Sequence, residues 1–534
     1  MYYSRQLALF DRNVMSKLTL ETTPFMIKEI KVHKLQRVAG ADTAERVPNV
    51  FRRLRVDSHK ESVIRDGHTY NVDYRVQYGR YVNDDNVVVV DNTRSSESPE
   101  TAQAFVQAGP REHIVWKPGE VRAAIVTCGG LCPGLNNVIQ ELFYSLHYNY
   151  GVDVIYGIRS GYRGFWQKEY QPWVRLTPES VRDIHHQGGT ILGSSRGGFD
   201  LQRIVNACEV YGINQLYIIG GDGTHRGGEE IANEAIRRGL KFSVVCIPKT
   251  IDNDIGVIDR SFGFNTAVAE ARKAISSVVL ESQCSPNGIG VVKLMGRHAG
   301  YIATHATLAS GQVDVCLIPE VPFHLHGKNG LLSHLHRVLK KQGSAVVVVA
   351  EGAGEDLVST GERDESGNVK LGDIGHFISH SISLYFRSQN IPVSVKYVDP
   401  SYMIRSVPAD AEDAVYCLFL ASHAVHGAMA GFTAFSVGMV TGRTVYMPMN
   451  VVCRASPSYL NPKGTTWERV LALTHQPNWG EPTVQEVLDE KDLEIERQMS
   501  ELASTDARSA GFVQVARHET PSNAGTISGP KSQL

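Results

Sequence analysis

The sequence predicts an α/β protein of two doubly wound, mostly parallel-sheet domains with a catalytic cleft between them, plus an N-terminal appendage and a C-terminal tail. Three observations carry this. From Val121 onward, apolar runs alternate with helical stretches, the signature of a parallel sheet covered on both faces. The runs are too many for one open sheet of usual size, so two sheets flanking a cleft are expected. Several runs end in glycine-rich or acidic turns, and open α/β sheets bind ligands at the carboxyl ends of their strands.

Residues 1–115 hold mixed strand and loop signals ("DNVVVVDNTRSSESPE") and read as an appendage. Strands are then expected at "AAIVT", "DVIYGI", "QLYIIG", "FSVVCIP", "GIGVVKL", "DVCLIP", "SAVVVVAEG" and "VSVKYVD". A helix is expected at "TPESVRDIHHQG", which opens on a threonine cap with proline in the first turn. "NTAVAEARKAISSVVLES" and "HFISHSISLYFRSQ" repeat apolar residues at three-and-four spacing. Ala414 to Val440 is the most apolar region but contains His423, His426 and several glycines. A membrane span needs ~20 clean apolar residues, so this reads as a buried helix, a glycine turn and a core strand. "STGERDESGNVKLGD" reads as an exposed loop, and the chain beyond about Glu490 as disordered. The boundaries are an appendage over 1–115, one α/β domain over 116–262 and 404–450, a second over 263–403, and an extension over 451–534.

Hydrophobic residues make up 42% and charged residues 21% of the 534, as in a soluble globular protein. A net charge of −2 indicates neither a nucleic-acid nor a membrane partner, so bound phosphate needs a local cluster of cations. The eight cysteines are scattered, several inside apolar runs, without paired C-x-x-C knuckles. That argues against zinc and for a reducing compartment. The first residues lack a small-residue cleavage site, and the final "KSQL" departs from the S-K-L peroxisomal signal by its glutamine. A cytoplasmic address is expected, with a glycosome-like or peroxisome-like organelle or a plastid left open.

Four groups at strand ends carry chemistry. "TCGGLCPGLNN" follows "AAIV", where Gly129 and Gly130 allow a tight turn and the next helix presents free N–H groups to an anion; glycines needed only for sterics are the plain alternative. In "GGDGTHRGG", Gly220, Gly221 and Gly223 permit close backbone approach, and Asp222 adds a carboxylate. A carboxylate beside polyphosphate makes sense if Mg²⁺ lies between them; otherwise Asp222 simply caps a helix. In "PKTIDNDI", Asp252 and Asp254 follow Lys249 and Thr250, and an acid at a strand end can take the proton of an attacking hydroxyl. A solvated turn is the alternative there. The fourth group is cationic: Arg196, Arg297, Arg405 and Lys396, each alone explicable as a surface ion-pair partner, together suited to phosphate. His225 and His298 adjoin these motifs but read as structural.

"GGDGT", "PKTIDND", "MGR", "AEG" and the Y-x-x-R of "YMIR" occur in the order and approximate spacing of the phosphofructokinases, which the chain resembles from about Val121 to Val440. The resemblance implies ATP-dependent phosphorylation of fructose 6-phosphate at its 1-hydroxyl, with Mg²⁺. It implies Asp252 as general base, with Thr250 and Arg297 beside it at the reacting centre. It implies a nucleotide held by Gly129, Arg196, Gly197, Gly221, Asp222, Gly223 and Thr224 in the first domain, with Asp222 on the metal. The sugar phosphate would meet Thr250, Ile251, Asp252, Met295, Gly296, Arg297, Glu351, Tyr402, Met403, Ile404 and Arg405, mostly in the second domain. The family commonly forms homo-oligomers, tetramers more often than dimers, in which two arginines reach the sugar phosphate across a subunit interface. Lys396 matches one of them, and the other falls near Asn287 and Gly288.

Two residues bear on the donor. Lys249 resembles diphosphate-dependent relatives, whereas Gly223 stands where those relatives carry aspartate. Glycine leaves room for an α-phosphate that a carboxylate would crowd and repel, so ATP is the expected donor. A diphosphate-dependent enzyme is the alternative within the family. A catalytically silent subunit of the same fold is another, but Asp222, Asp252, Arg297 and Arg405 are all present. A lipid or NAD kinase would share "GGDGT" but not "PKTIDND" or "MGR".

Overall fold

The computed structural model describes residues 29–41, 46–49, 81–90, 98–358 and 371–479, with the backbone of two further strands at Val63–Arg65 and His68–Tyr70. Strands β1 (Glu29–Val32), β2 (Val87–Val89) and β3 (Thr101–Gln107) precede the alternating region. There β4 (Arg122–Thr127), α1 (Leu135–Tyr144), β5 (Val154–Ile158), α2 (Leu201–Tyr211), β6 (Gln215–Gly220), α3 (Asp222–Arg237) and β7 (Ser243–Pro248) follow one another. Helix α4 (Phe264–Gln283) leads into β8 (Gly288–Leu294), α5 (Tyr301–Ser310), β9 (Val315–Leu317), α6 (Leu331–Gln342), β10 (Ser344–Ala350), α7 (Ile374–Ser388) and β11 (Ser394–Val398). Helices α8 (Ser401–Arg405) and α9 (Ala411–Met429) return the chain to β12 (Phe435–Val440) and β13 (Arg443–Pro448), followed by α10 (Met449–Ala455) and α11 (Thr465–Thr474).

The larger sheet has the order β1-β3-β13-β12-β7-β6-β4-β5, ending on the short strand Val174–Arg175, with β2 also on β3. Its centre, β12-β7-β6-β4-β5, is parallel, and antiparallel pairs close both sides. Every residue of β6 and β7 is buried, which is why these strands read as unbroken apolar runs instead of alternating ones. The smaller sheet, β9-β10-β8-β11, is wholly parallel. One core joins Ile125, Tyr217 and Ile247 of the larger sheet to Val292, Leu294 and Val348 of the smaller one through Ala271, Ile275 and Val278 of α4. A second core, with Val291, Leu335, Val347 and Ile378, covers the far face of the smaller sheet.

Two expectations need correction. The "TPESVRDIHHQG" helix is only a turn, Pro178–Val181, capped by the Thr177 side chain, followed by a separate short turn at Ile184–His186. Its apolar residues, Val181 and Ile184, are too few to hold a longer helix against the core. Within the stretch expected as an appendage, the described strands β1, β2 and β3 are not separate from the first domain: they are hydrogen-bonded into the larger sheet, with Ala104 and Phe105 buried. Edge pairing, which no local periodicity announces, put them there. The Ala414–Val440 region forms helix α9, a turn at Gly431 (φ +86°) and strand β12, as its composition suggests. Residues 359–370 of the polar loop and the tail beyond 479 lie outside the described residues. Among the described residues no helix is long and apolar enough to cross a membrane, and all eight cysteines are unpaired.

Candidate active site

Strands β4, β6 and β7 lie side by side and parallel, so the turns that leave their carboxyl ends emerge together. The chain leaves β4 for β5 on one side and leaves β6 for β7 on the other. The gap between β4 and β6 is therefore a topological switch point, where open α/β sheets bind ligands. Gly129 stands on one side of it and Asp222 on the other. Gly129 adopts φ +86°, and a Cβ there would lie 3.5 Å from the Lys249 Nζ. The loop carrying Arg196 and Gly197 docks on this turn: Ser194 Oγ donates to the Gly129 carbonyl at 2.6 Å, and the Gly129 N–H donates to the Ser195 carbonyl at 3.0 Å. The two serines were not singled out from the sequence; a "GSSRGG" run is their only signal. Arg196 and Gly197 are exposed.

Asp222 is the first residue of α3, behind Gly221. Its Oδ2 accepts from the Arg226 guanidinium at 2.5 Å, while its Oδ1 is enclosed without a partner. Gly223 is exposed, and a Cβ built on it would meet nothing within 4 Å. Thr224 is held from behind, its carbonyl accepting from the Tyr162 hydroxyl at 2.8 Å. His225 is structural: its Nδ1 lies 2.9 Å from the Gly221 carbonyl, and burial pushes its pKa down to about 4. His298 is exposed.

The second turn begins where Gly220 pairs with Pro248 and the Lys249 N–H donates to the Gly220 carbonyl at 2.9 Å. Lys249 is buried, and burial lowers its pKa despite nearby Cys132, Cys128 and Asp252. The Thr250 hydroxyl donates to Asp254 at 2.6 Å and accepts from the Asp252 N–H at 3.3 Å, so it orders the turn. Asp252 is half-buried, and its Oδ1 is enclosed and unpartnered. Burial, then the charges of Asp254 and Glu351, raise its pKa to about 8 against the opposing backbone N–H and charge of Arg297.

That last contact joins the two domains. Met295, Gly296 and Arg297 follow β8, and Glu351 follows β10, the neighbouring strand, with Leu294 opposite Ala350. The Gly352 N–H donates to the Gly296 carbonyl at 3.1 Å, holding the two turns together. The pKa of Glu351 is raised by burial, which outweighs the Arg297 and Lys293 charges. Lys293, which the sequence reading passed over, forms ion pairs with Asp399 at 2.8 Å and Asp373 at 3.4 Å. A lone lysine in the apolar run "GIGVVKL" was its signal.

Other expected residues are placed differently. The side chains of Ile251, Met295 and Ile404 are buried in the main core. Tyr402 and Met403 are 74% and 73% exposed on α8. Arg405 stacks its guanidinium 4.8 Å above the Tyr402 ring, its Nη1 reaches 4.0 Å from where a Gly130 Cβ would stand, and its Nε is buried without a partner. Lys396 is not part of the cluster: it pairs with Gly290, mid-strand in β8, roughly 16 Å along the strand from Met295 at 3.3 Å per residue.

The phosphofructokinase family profile matches residues 122–428. The chain is 52% identical over 379 residues to "ATP-dependent 6-phosphofructokinase 7" of Arabidopsis thaliana, covering 70% of this chain and 77% of that protein. It is 48% identical over 384 residues to the "ATP-dependent 6-phosphofructokinase" of Amycolatopsis methanolica, covering 70% and 83%. To the protein of that name from Trypanosoma brucei brucei it is 42% identical over 386 residues, covering 71% and 78%. Among solved structures, a "Pyrophosphate-dependent phosphofructokinase" from Nitrosospira multiformis aligns with a TM-score of 0.54 at 18% identity, over 76% of this chain and 100% of that one. At that identity the likeness speaks to the fold alone.

Proposed function

This chain belongs to the phosphofructokinase family, and from that premise we propose that it transfers the γ-phosphoryl group of ATP to the 1-hydroxyl of fructose 6-phosphate, giving fructose 1,6-bisphosphate and ADP. One observation carries the reading. The enclosed carboxyl of Asp252 stands one strand from the Asp222 turn and accepts the backbone N–H of Arg297 from the other domain, so it faces a donor corner and an acceptor corner at once.

In this reading Gly129, Arg196, Gly197, Gly221, Gly223 and Thr224 receive the nucleotide. Arg297, Glu351 and Arg405 receive the sugar phosphate, with the backbone of Ile251, Met295, Gly296 and Ile404 lining it. The 1-hydroxyl oxygen bonds to the γ-phosphorus as the bridging bond to the β-phosphate breaks, and Asp252 takes the hydroxyl proton. A carboxyl raised to about 8 is a strong base once ionised, suited to a proton released late in transfer. Arg297 and Lys249 offset the negative charge that gathers on the moving group.

The unpartnered Oδ1 of Asp222 fits Mg²⁺. Mg²⁺ is typically bound by one or two carboxylates together with phosphate oxygens, so Asp222 would share the ion with the nucleotide. Bound there, Mg²⁺ would neutralise phosphate charge. The open space at Gly223 favours ATP over diphosphate, because an α-phosphate needs it. The exposure of Tyr402 and Met403 and the distance of Lys396 from the cleft suit a homo-oligomer, a tetramer ahead of a dimer, in which Lys396 serves a neighbouring subunit.

A coupled assay with fructose 6-phosphate and either donor tests this. Turnover with ATP is expected; turnover with diphosphate alone overturns the donor assignment, and none with either overturns the function.

A further inference from the structure

Residues 455–460 lie outside the assigned site yet bind both corners on which the reaction depends. The Ser458 N–H donates to the carbonyl of Asp254, two residues past Asp252, at 2.6 Å. Gly256 is pressed against the same segment: a Cβ there would come within 2.3 Å of the Ala455 carbonyl. On the other domain, the Tyr301 hydroxyl donates to the Tyr459 carbonyl at 3.0 Å and lies 3.3 Å from Ser458 Oγ. Glu320 completes the attachment. Its Oε1 accepts the Leu460 N–H at 2.8 Å and the Gly300 N–H at 3.0 Å, and Gly300 closes the turn begun by Met295, Gly296 and Arg297. The segment continues from α10, which packs along α3, the helix that opens on Asp222. A single stretch of chain thus backs the base and sugar corners.

We propose that residues 455–460 form a strap, anchored by Glu320 and Tyr301, that fixes the spacing between the Asp252 turn and the Arg297 turn; Glu320 and Tyr301 are positioning residues for phosphoryl transfer. The proposal rests on the phosphofructokinase reading. Its logic is that the two turns come from different sheets and meet in front at the Asp252 carboxyl and the Arg297 N–H, where substrate must also fit. The strap holds them from behind, where substrate does not compete. Glu320 accepts the backbone N–H groups of Gly300 and Leu460, so it acts on the reaction through the Gly300 turn and the strap.

The test compares Glu320→Ala, Glu320→Gln and Tyr301→Phe with the wild type in steady-state kinetics, thermal melts and hydrogen exchange. In Glu320→Ala, KM for fructose 6-phosphate rises and kcat falls, each by about tenfold, well within what a misplacement of about 1 Å produces, while KM for ATP stays within about twofold. Glu320→Gln keeps a carbonyl oxygen for both N–H groups and restores most of the loss. Tyr301→Phe reproduces the pattern more weakly, and decides the matter if Glu320→Ala does not fold. Amides of 251–256 and 295–300 exchange faster in these variants, and those of 219–224 do not. Wild-type kinetics in folded Glu320→Ala and Tyr301→Phe overturn the proposal; so does a general rise in exchange with equal loss of affinity for both substrates. If the wild type fails to phosphorylate fructose 6-phosphate, the functional reading falls, and the exchange pattern still judges the strap.

Discussion

Replacing Asp252 with asparagine should abolish most of the activity and stabilise the fold. The side chain is raised from 3.8 to about 8 by burial and by two like charges, Asp254 and Glu351. The sign follows from proton binding. A carboxyl whose folded-state pKa exceeds its unfolded one holds its proton more tightly when folded, so its contribution is most favourable below about pH 4. That contribution is lost progressively as pH climbs toward 8, where the wild type must bury an ionised group. The slope between those limits is at most about 1.4 kcal/mol per pH unit. Relaxation and water reaching the cleft reduce it, so a total of roughly 2–4 kcal/mol across the window is expected. Asparagine keeps the shape and removes the titration. Urea melts of both proteins at pH 5, 6, 7 and 8 should show a gap that widens with pH in favour of the variant. Its kcat should fall by about 10²–10⁴, the usual worth of a general base. A pH-independent gap would refute the account of the carboxyl's environment, and near-wild-type turnover would remove Asp252 from the base role.

Gly223→Asp should fold normally, because its Cβ enters open space. It should raise KM for ATP by about tenfold or more, since like charges about 4 Å apart repel by roughly 1–4 kcal/mol at effective dielectrics of 80 to 20; an unchanged KM would sink the donor argument. Arg405→Lys should raise KM for fructose 6-phosphate by about 10–100-fold, the worth of a charged hydrogen bond at 1.5–3 kcal/mol, with KM for ATP unaffected. Asp222→Asn should shift the Mg²⁺ concentration for half-maximal rate upward at fixed ATP. An unshifted Mg²⁺ titration would leave Asp222 with only its Arg226 pair and its place at the start of α3.

Much of the architecture was legible in the chain because β4, β6, β7, β8 and β10 are buried apolar runs bounded by glycine or acidic turns. Helices α4 and α7 likewise declare themselves by apolar spacing. Local composition was silent on β1, β2 and β3: β3 joins the sheet through β13, at Val445 and Tyr446 far along the chain, and β1 and β2 attach through β3. It also overestimated the helix after Thr177, where a good cap begins an element that too few apolar side chains sustain.

At the site, the sequence alone determined which chemical groups exist: the carboxylates of Asp222 and Asp252, the cations Lys249, Arg297 and Arg405, and the glycines that keep the turns open. It also determined that they sit at strand ends, since hydrophobic runs and turn residues are local properties. Only the tertiary structure decided how they meet. Strand order puts Gly129, Asp222 and Asp252 on neighbouring corners, packing through α4 brings Arg297 and Glu351 opposite them, and register leaves Lys396 outside. The raised pKa of Asp252 belongs to the same category. Enclosure raises it most, then the charge of Asp254, a chain neighbour, and that of Glu351 from a separate sheet; the enclosure and the Glu351 approach depend on contacts that close only when the chain has folded.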